Sequence, residues 1–350
     1  MGKTGKKILA IIVRPVVLIC IALAIATLFL GATGYNPFAI LIGLGQSFTH
    51  DLAGTVRWST PMILSGLAVC VTYKAGVFNL GVDGQIFMGA SAAAATALII
   101  PAGMNKVIAL IIIFLAAMIA GAAFACIPAL MKIYLNVNEV VSTLLLNFIG
   151  QYFVDYLVNG PLRDPESGTN LNATAKFNEN CWLPHIMEPS SANVGVFIAI
   201  ALIIVISFIF FKTTFGHEIK IVGTNAEFAR YCGVNPKKTA MQVMAVSGAI
   251  ASIIGAIEVT AVQHRLIAGF NNSLGFKGIV VSLLANNNPI GVIFSGIFFG
   301  ALKNGGMNME RMTNVPSSVS SIVEGLVILI ISAQFTIHII KKAAGKEVRK

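Results

Sequence analysis

The chain has 350 residues, of which 56% are hydrophobic and 11% are charged. Soluble domains contain about 25% charged residues, so this composition excludes a single water-soluble core and indicates a polytopic membrane protein. No alternating ten-residue strand pattern is present, which excludes a transmembrane β-barrel. The net charge of +10 agrees with the positive-inside rule. No basic patch is interleaved with aromatic residues, so we expect no nucleic-acid partner.

The apolar runs predict an all-α fold of about ten transmembrane helices, some of them short or broken, in a single domain over residues 1–350. The predicted spans are residues 15–34, 59–74, 85–101, 107–131, 139–158, 194–211, 241–262, 275–286, 290–303 and 317–340. Basic residues at both ends of the chain place both termini in the cytoplasm. The number of crossings is then even, which requires that 275–286 and 290–303 each count as one.

Two polar segments interrupt this pattern of spans. Residues 159–193 are rich in Pro, Asn, Ser and acidic side chains, and we expect an extracellular loop there. Residues 212–240 are basic and amphipathic, and they lie between two spans. A segment with this charge belongs on the cytoplasmic side, where it offers a surface to a soluble partner.

Cysteine and histidine spacing points to neither a disulfide nor a metal site. The five Cys residues are far apart and the five His residues are isolated, without the spacing of metal ligands. No phosphate-binding loop and no catalytic dyad in a plausible setting is present. We therefore predict that the chain is not an enzyme and carries no cofactor of its own.

Polar residues within the apolar regions mark a candidate solute pathway. The break before the third span holds Asn79, Asp83 and Gln85, and such side chains rarely face lipid. The fifth span carries Asn147, with Gln151 and Asp155 following at intervals of four residues, which makes one polar stripe. The full candidate set is Asn79, Asp83, Gln85, Glu139, Asn147, Lys277 and Asn287.

A second interpretation of these residues stays open. Asn79, Asp83 and Lys277 would then only cap half-helices and satisfy broken backbone, as irregular backbone in a membrane requires. Glu139 would be favoured by the helix dipole at the start of its span. The sequences Gly81–Gly84 (GVDG) and Gly275–Gly278 (GFKG) each lead into a helix, one running outward and the other inward. This arrangement is typical of an inverted repeat.

Five motifs in order cover nearly the whole chain. They are Phe78–Gln85 (FNLGVDGQ), Asn138–Asn147 (NEVVSTLLLN), Gly223–Val234 (GTNAEFARYCGV), Gly275–Gly291 (GFKGIVVSLLANNNPIG) and Gly305–Gly325 (GGMNMERMTNVPSSVSSIVEG). Together they resemble the permease subunits of ABC importers of the branched-chain amino acid and ribose class. Within that class they are most similar to the nucleoside branch, whose members also carry a simple-sugar description.

The resemblance implies an assembly in the bacterial plasma membrane. This permease would pair with a second, similar permease. A cytoplasmic ATPase with two nucleotide-binding domains would bind ATP and Mg, and an extracellular solute-binding lipoprotein would deliver the solute. Gly223–Val234 would correspond to the coupling helix that docks into the ATPase. The coupling residues implied are Gly223, Asn225, Glu227, Arg230, Tyr231 and Gly233.

Three residues depart from the family's pattern. Phe228 and Cys232 stand where alanine is usual, and Asp83 stands where glutamate is common. We expect Glu227 and Arg230 to contact the ATPase; the alternative is a solvated face against lipid headgroups.

The expected function is that of a permease subunit that forms the membrane pathway for a nucleoside or a related sugar-like solute. An ion-coupled secondary transporter of a small polar solute is the alternative, because Asp83, Glu139 and Glu258 would also suit ion coupling. An integral-membrane enzyme is disfavoured, because His, Asp and Cys do not cluster at a membrane face.

Overall fold

The computed structural model describes residues 20–164, 172–187, 190–312 and 321–330, apart from positions 22, 30, 33, 37, 272 and 323. Helices dominate this part of the chain. They are α1 (Ala39–Thr49), α2 (Leu52–Lys74), α3 (Val82–Ile99), α4 (Lys106–Leu135), α5 (Glu139–Asn159), α6 (Gly195–Lys212), α7 (Thr214–Thr224), α8 (Ala226–Tyr231), α9 (Pro236–Ile257), α10 (Leu274–Leu284) and α11 (Pro289–Met312). Two compact units are formed, residues 59–296 and residues 1–58 with 297–350.

Six of the described helices are long and apolar enough to cross a membrane. They are α3, α4, α5, α6, α9 with its extension to Gln263, and α11 as far as Arg311. The helix α10 is apolar but has only 11 residues, about 16 Å at 1.5 Å per residue, so it is shorter than the hydrocarbon core of a bilayer. The structure is therefore that of a polytopic helical membrane protein.

Small residues let the helices of the larger unit pack closely. Gly248 and Gly255 of α9 both permit a close approach of neighbouring backbone. A Cβ at Gly248 would overlap the backbone of Gly121 on α4, and one at Gly255 would overlap that of Ile86 on α3. The helix α9 thus lies against both neighbours, and Ala90 is fully buried where they meet.

The polar segment that follows α5 packs onto the end of α9. It contains a 3₁₀ turn (Glu179–Cys181) and two short antiparallel strands, β1 (His185–Met187) and β2 (Ala192–Asn193). The helix α9 continues as a π-helix, Glu258–Gln263, and ends at His264, whose φ is 55°. The Leu183 N–H donates to the carbonyl of Thr260 at 3.1 Å, so the segment satisfies part of the π-helix backbone.

The smaller unit contains a helix that the sequence does not predict. We predict no element between residues 35 and 58, yet α1 occupies Ala39–Thr49 and α2 begins at Leu52 rather than at residue 59. Within this unit, a Cβ at Gly43 would overlap the carbonyl oxygen of Gly305 on α11. The helix α1 has 11 residues, too few for the span-length criterion on which the prediction rests.

The helix α11 continues to Met312, beyond residue 303, where the ninth span is predicted to end. The polar sequence after residue 303 faces the interior of the smaller unit rather than solvent. The Asn304 amide donates to the carbonyl of Asp51 at 3.1 Å and to the Thr55 hydroxyl at 3.3 Å. A buried polar side chain that has hydrogen-bond partners is satisfied in the interior, so it does not require the helix to end. Residues 20–32, within the predicted span 15–34, and residues 321–330, within the predicted span 317–340, are helical, apart from the undescribed positions 22, 30 and 323. Residues 15–19, 317–320 and 331–340 lie outside the described residues.

Candidate functional site

The helix α3 begins inside the bundle rather than at its end. Asn147 lies eight residues into α5, about 12 Å along that helix at 1.5 Å per residue. Its Oδ1 accepts from the N–H of Gly84 at 2.8 Å, and its Nδ2 donates to the carbonyl of Leu80 at 2.8 Å. The irregular backbone of residues 75–81, which we call the first break, therefore ends well within the bundle.

Asn79 holds the first break together. Its amide is fully buried and exchanges two hydrogen bonds with the Gln85 amide, each 3.1 Å long. Its Nδ2 also donates to the Ser247 hydroxyl at 2.9 Å, and its Oδ1 accepts from the N–H of Gly81 at 3.0 Å. The bond to Gly81 satisfies part of the broken backbone, which favours the capping interpretation of Asn79.

Asp83 joins α3 to α10. Its carboxylate lies in the first turn of α3 and accepts from the N–H of Gly275 at 2.8 Å and from that of Phe276 at 3.3 Å. The Asn271 amide donates to the same carboxylate at 2.8 Å. The N-terminal ends of two helices thus meet at one buried carboxylate, where both dipoles favour negative charge.

A cavity of about 410 Å³ opens beside this junction. Asp83, Asn147 and Asn271 bring polar atoms to it, and Phe87, Phe148 and Phe276 bring aromatic rings. Gln151, on the polar stripe of α5, completes the polar lining. The volume is within the range of small-molecule sites, which are mostly apolar with a few converging polar groups.

The remaining candidate pathway residues have other contacts. Glu139 pairs with Lys132 at 2.6 Å, so it joins the end of α4 to the start of α5. Asn287 lies in the turn between α10 and α11 with φ of 54°, and its Oδ1 accepts from the Ser282 hydroxyl at 2.9 Å. Lys277 lies in α10, near enough to Asp83 for their charges to interact. The structure therefore brings Asn79, Asp83, Gln85 and Asn147 together, with Lys277 close by.

Sequence reasoning misses several residues of this junction. Asn271 and Ser247 each donate or accept a hydrogen bond within it, and neither is among the candidates. An Asn three residues before an apolar helix is a capping signal, which could have pointed to Asn271. The three Phe residues carry no such signal, because an aromatic side chain in an apolar run resembles any other core residue.

The polar segment between α6 and α9 forms two helices. The predicted helix over Gly223–Val234 is wrong, because α7 ends at Thr224 and α8 covers only Ala226–Tyr231. Asn225 separates them, and its Oδ1 accepts from the N–H groups of Glu227 at 2.9 Å and Phe228 at 3.0 Å. An Asn at this position caps a new helix and interrupts the previous one.

The short helix α8 presents aromatic and charged side chains to its surroundings. Tyr231 is 90% exposed and Phe228 is 57% exposed. Glu227 and Arg230 are exposed on the same short helix. Gly233 ends it with φ of 79°, and the N–H groups of residues 233 and 234 bond back to the last turn in a Schellman motif.

These features define a helical membrane protein with an interior cavity and an exposed helix between two membrane-crossing helices. A family model of the branched-chain amino acid transport system, permease component, matches residues 52–332. The chain therefore belongs to this family, and it is a permease subunit of an ABC importer. Its homologues are transport components rather than enzymes.

Three relatives align with nearly the full length of the chain. The guanosine ABC transporter permease protein NupP of Bacillus subtilis is 31% identical over 93% of this chain and 94% of its own. The glucose ABC transporter permease protein TsgB13 of Haloferax volcanii is 32% identical over 92% of this chain and 87% of its own. The nucleoside ABC transporter permease protein NupB of Lactococcus lactis is 28% identical over 97% and 94%.

Proposed function

We propose that the chain forms the membrane pathway for a nucleoside and that the cavity beside Asp83 is a station on it. The observation that carries this proposal is the lining of the cavity, which combines residues with amide side chains and phenylalanines. A base can stack on Phe148 or Phe276, and ribose hydroxyls can bond to Asn147 and Gln151. Asp83 already accepts three hydrogen bonds. Its carboxylate therefore does not require a cationic solute, which agrees with a neutral one.

Glucose is the second candidate solute, because the Haloferax glucose permease is as similar to this chain as the guanosine permease is. The two candidates differ in one physical respect, since only a nucleoside has an aromatic face for the phenylalanine rings. The test is to purify the permease with its ATPase and binding protein and to measure ATP hydrolysis with each solute. Stimulation by nucleosides alone supports the proposal, and stimulation by glucose alone contradicts it.

The same complex separates an ATP-driven importer from an ion-coupled transporter. We expect uptake into proteoliposomes to continue when proton and sodium gradients are dissipated while ATP is held constant. Loss of uptake under those conditions would favour the ion-coupled alternative.

The role of the cavity is tested by Phe148→Ala, which should weaken nucleoside uptake more than glucose uptake. Ile149→Ala removes a neighbouring exposed apolar side chain and serves as the control.

We also propose that a second permease covers one face of α5. Gln151 is exposed on this membrane-crossing helix and Asp155 is half-buried, while Tyr152 and Tyr156 are exposed beside them. Polar and ionisable side chains within a membrane face protein or water rather than lipid. A partner permease on this face would also close the open side of the cavity. Cross-linking between permeases through Gln151→Cys should therefore exceed that through Ile119→Cys, an exposed apolar position on α4.

Contact with the ATPase is proposed for α8 through Tyr231, Phe228 and Arg230, because aromatic and Arg side chains are the usual anchors of interfaces. Arg230→Glu should abolish transport while the protein still inserts into the membrane. Lys212→Glu, an exposed residue at the end of α6, makes the same charge change away from α8 and should transport normally. Normal uptake by Arg230→Glu would overturn this assignment.

We also propose how the chain crosses the membrane and on which side each polar segment lies. It has ten crossings with both termini in the cytoplasm, residues 159–193 outside, and residues 212–240 inside, in a bacterial plasma membrane. Cys232 is exposed next to α8 and Cys181 is buried in the opposite polar segment. In intact cells, a membrane-impermeant maleimide should leave Cys232 unlabelled, and in inverted vesicles it should label it. The ATPase should then slow that labelling.

A further inference from the structure

The helix α8 is small and exposed, so its movement must pass to the bundle through another element. Only Asn225 separates α8 from α7. The Asn225 N–H bonds to the carbonyl of Ile221 at 3.0 Å, in the last turn of α7, while its side chain caps α8. One residue thus ends one helix and begins the next, so we expect the last turn of α7 to move with α8.

The last turn of α7 lies directly against the end of α2. Gly223 makes the contact, because a Cβ at this position would overlap the carbonyl oxygen of Lys74. On the other side, a Cβ at Gly76 would lie 3.4 Å from the Cα of Gly223. Backbone meets backbone here, and only glycine permits so close an approach at residue 223.

The end of α2 is fixed to the first break. Gly76 has φ of 71°, its N–H bonds to the carbonyl of Tyr73 at 3.1 Å, and the Val77 N–H bonds to that of Thr72 at 3.1 Å. This is a Schellman motif, which sets the direction of the chain after the helix. Asn79, the centre of the hydrogen-bond network beside the cavity, lies three residues beyond Gly76.

We propose that Gly223 is a positioning residue that transmits displacement of α7 and α8 to the first break, and through it to the junction beside the cavity. The proposal rests on the proposed coupling of α8 to an ATPase, and it gives Gly223 a contact within the permease instead of a place in the docking surface. A cavity of about 460 Å³ adjoins the contact and is lined by Gly76, Gly223 and Asn225, so the tight approach at Gly223 has open space beside it.

The test uses Gly223→Ala in the full complex with the ATPase and binding protein. We expect the variant to bind the ATPase normally and to hydrolyse ATP, with uptake per ATP lower by about tenfold, within the usual range of coupling between sites. Gly76→Asn should reproduce the loss from the other side, because Asn tolerates positive φ but adds a side chain at the contact. Gly103→Ala is the matched control, since no atom lies within 4 Å of its Cβ position.

Hydrogen exchange provides the readout that a merely structural role would not change. In the wild type, adding ATP should alter exchange both in α8 and in residues 75–81; in Gly223→Ala, only α8 should respond. A normal response of 75–81 with normal uptake would overturn the proposal, as would loss of ATPase binding, which would make Gly223 a docking residue. Failure of the wild type to bind any ATPase would instead overturn the proposed function.

Discussion

The two half-helices that meet at Asp83 are held by different means. The first break, before α3, is bonded to side chains of separate helices, Asn147 on α5 and Ser247 on α9. The second break, residues 264–273 before α10, holds three residues with positive φ, His264, Gly269 and Ser273. Its helix is capped by Asp83 with help from Asn271. The start of α3 is thus part of a network of side chains from separate helices, whereas at the start of α10 one carboxylate accepts from two N–H groups and Asn271 accepts from a third.

This difference indicates which half-helix can move. A fully bonded buried network is rigid, because shifting one member breaks the bonds of several. The first turn of α10 is also held by the Ser65 hydroxyl, which donates to the carbonyl of Leu274 at 2.8 Å. Releasing Asp83 would therefore loosen this turn at the edge of the cavity, while the Ser65 bond keeps α10 in place in the bundle.

The largest expected effect is on the first break. Asn79→Ala removes the acceptor of the Gly81 N–H and both partners of the Gln85 amide. Each buried donor left without an acceptor costs about 1–3 kcal/mol. We expect a clear fall in the melting temperature of the purified protein, followed by tryptophan fluorescence, and loss of uptake with it.

Asn105→Ala is the matched control for that experiment. Asn105 caps α4 in an exposed position, where its Oδ1 accepts from the Val107 N–H at 2.9 Å. Water can replace an exposed cap, so the cost should be nearer about 1 kcal/mol. Equal melting temperatures for the two variants would show that the buried network does not fix the start of α3.

The second expected effect concerns the carboxylate. Asp83→Ala should reduce uptake strongly while lowering the melting temperature less than Asn79→Ala, because a lost helix cap costs about 0.5–2 kcal/mol and Ser65 still holds α10. Asp83→Asn retains one oxygen acceptor and should be intermediate. Glu179→Gln makes the same change of a carboxylate to an amide at an exposed position and should leave both properties unchanged. A larger stability loss for Asp83→Ala than for Asn79→Ala would reverse the comparison.

Some of this arrangement could be predicted from the sequence. The polar residues in the first break and on α5 stand out because ionisable and amide groups are rare among apolar runs. Asn79 and Asn147 do bond to the backbone around the start of α3, and Asp83 bonds to the start of α10. The prediction could not say that Asn79 and Gln85 bond to each other, because that depends on how the chain turns between them. Nor could the prediction show that Glu139 lies apart from the residues around the cavity, because its partner Lys132 is on another helix.

The observed helices differ from the predicted bounds at two places. The residues after Lys303 look like the end of a helix, yet buried partners of Asn304 continue it. The Gly223–Val234 motif looks like one helix, yet Asn225 divides it. The partners of Asn304 are distant in sequence and appear only in the folded protein, whereas Asn225 caps the turn that follows it, a local signal that the prediction overlooked.

The smallest expected effect lies at the outer end of the second break. His264 stacks on Trp182 with ring centroids 4.1 Å apart, and its Nδ1 lies 3.0 Å from the carbonyl of Thr260. Burial lowers the pKa of His264 below its usual value, and the nearby charges of His185 and Lys176 lower it further, against an opposing contribution from the Thr260 carbonyl. The unfolded chain therefore binds more protons at this residue than the folded one does.

Stability at this position consequently rises with pH, and it should be lost as pH falls through about 6.5, the ordinary pKa of histidine. We expect hydrogen exchange in residues 177–185, corrected for intrinsic rates, to be faster at pH 5.5 than at pH 7.5. His264→Asn should remove this dependence, because Asn also accepts φ of 55° but does not titrate. His217→Asn, at an exposed histidine in α7, should retain it. A dependence that persists in His264→Asn would show that His264 is not the group responsible for it.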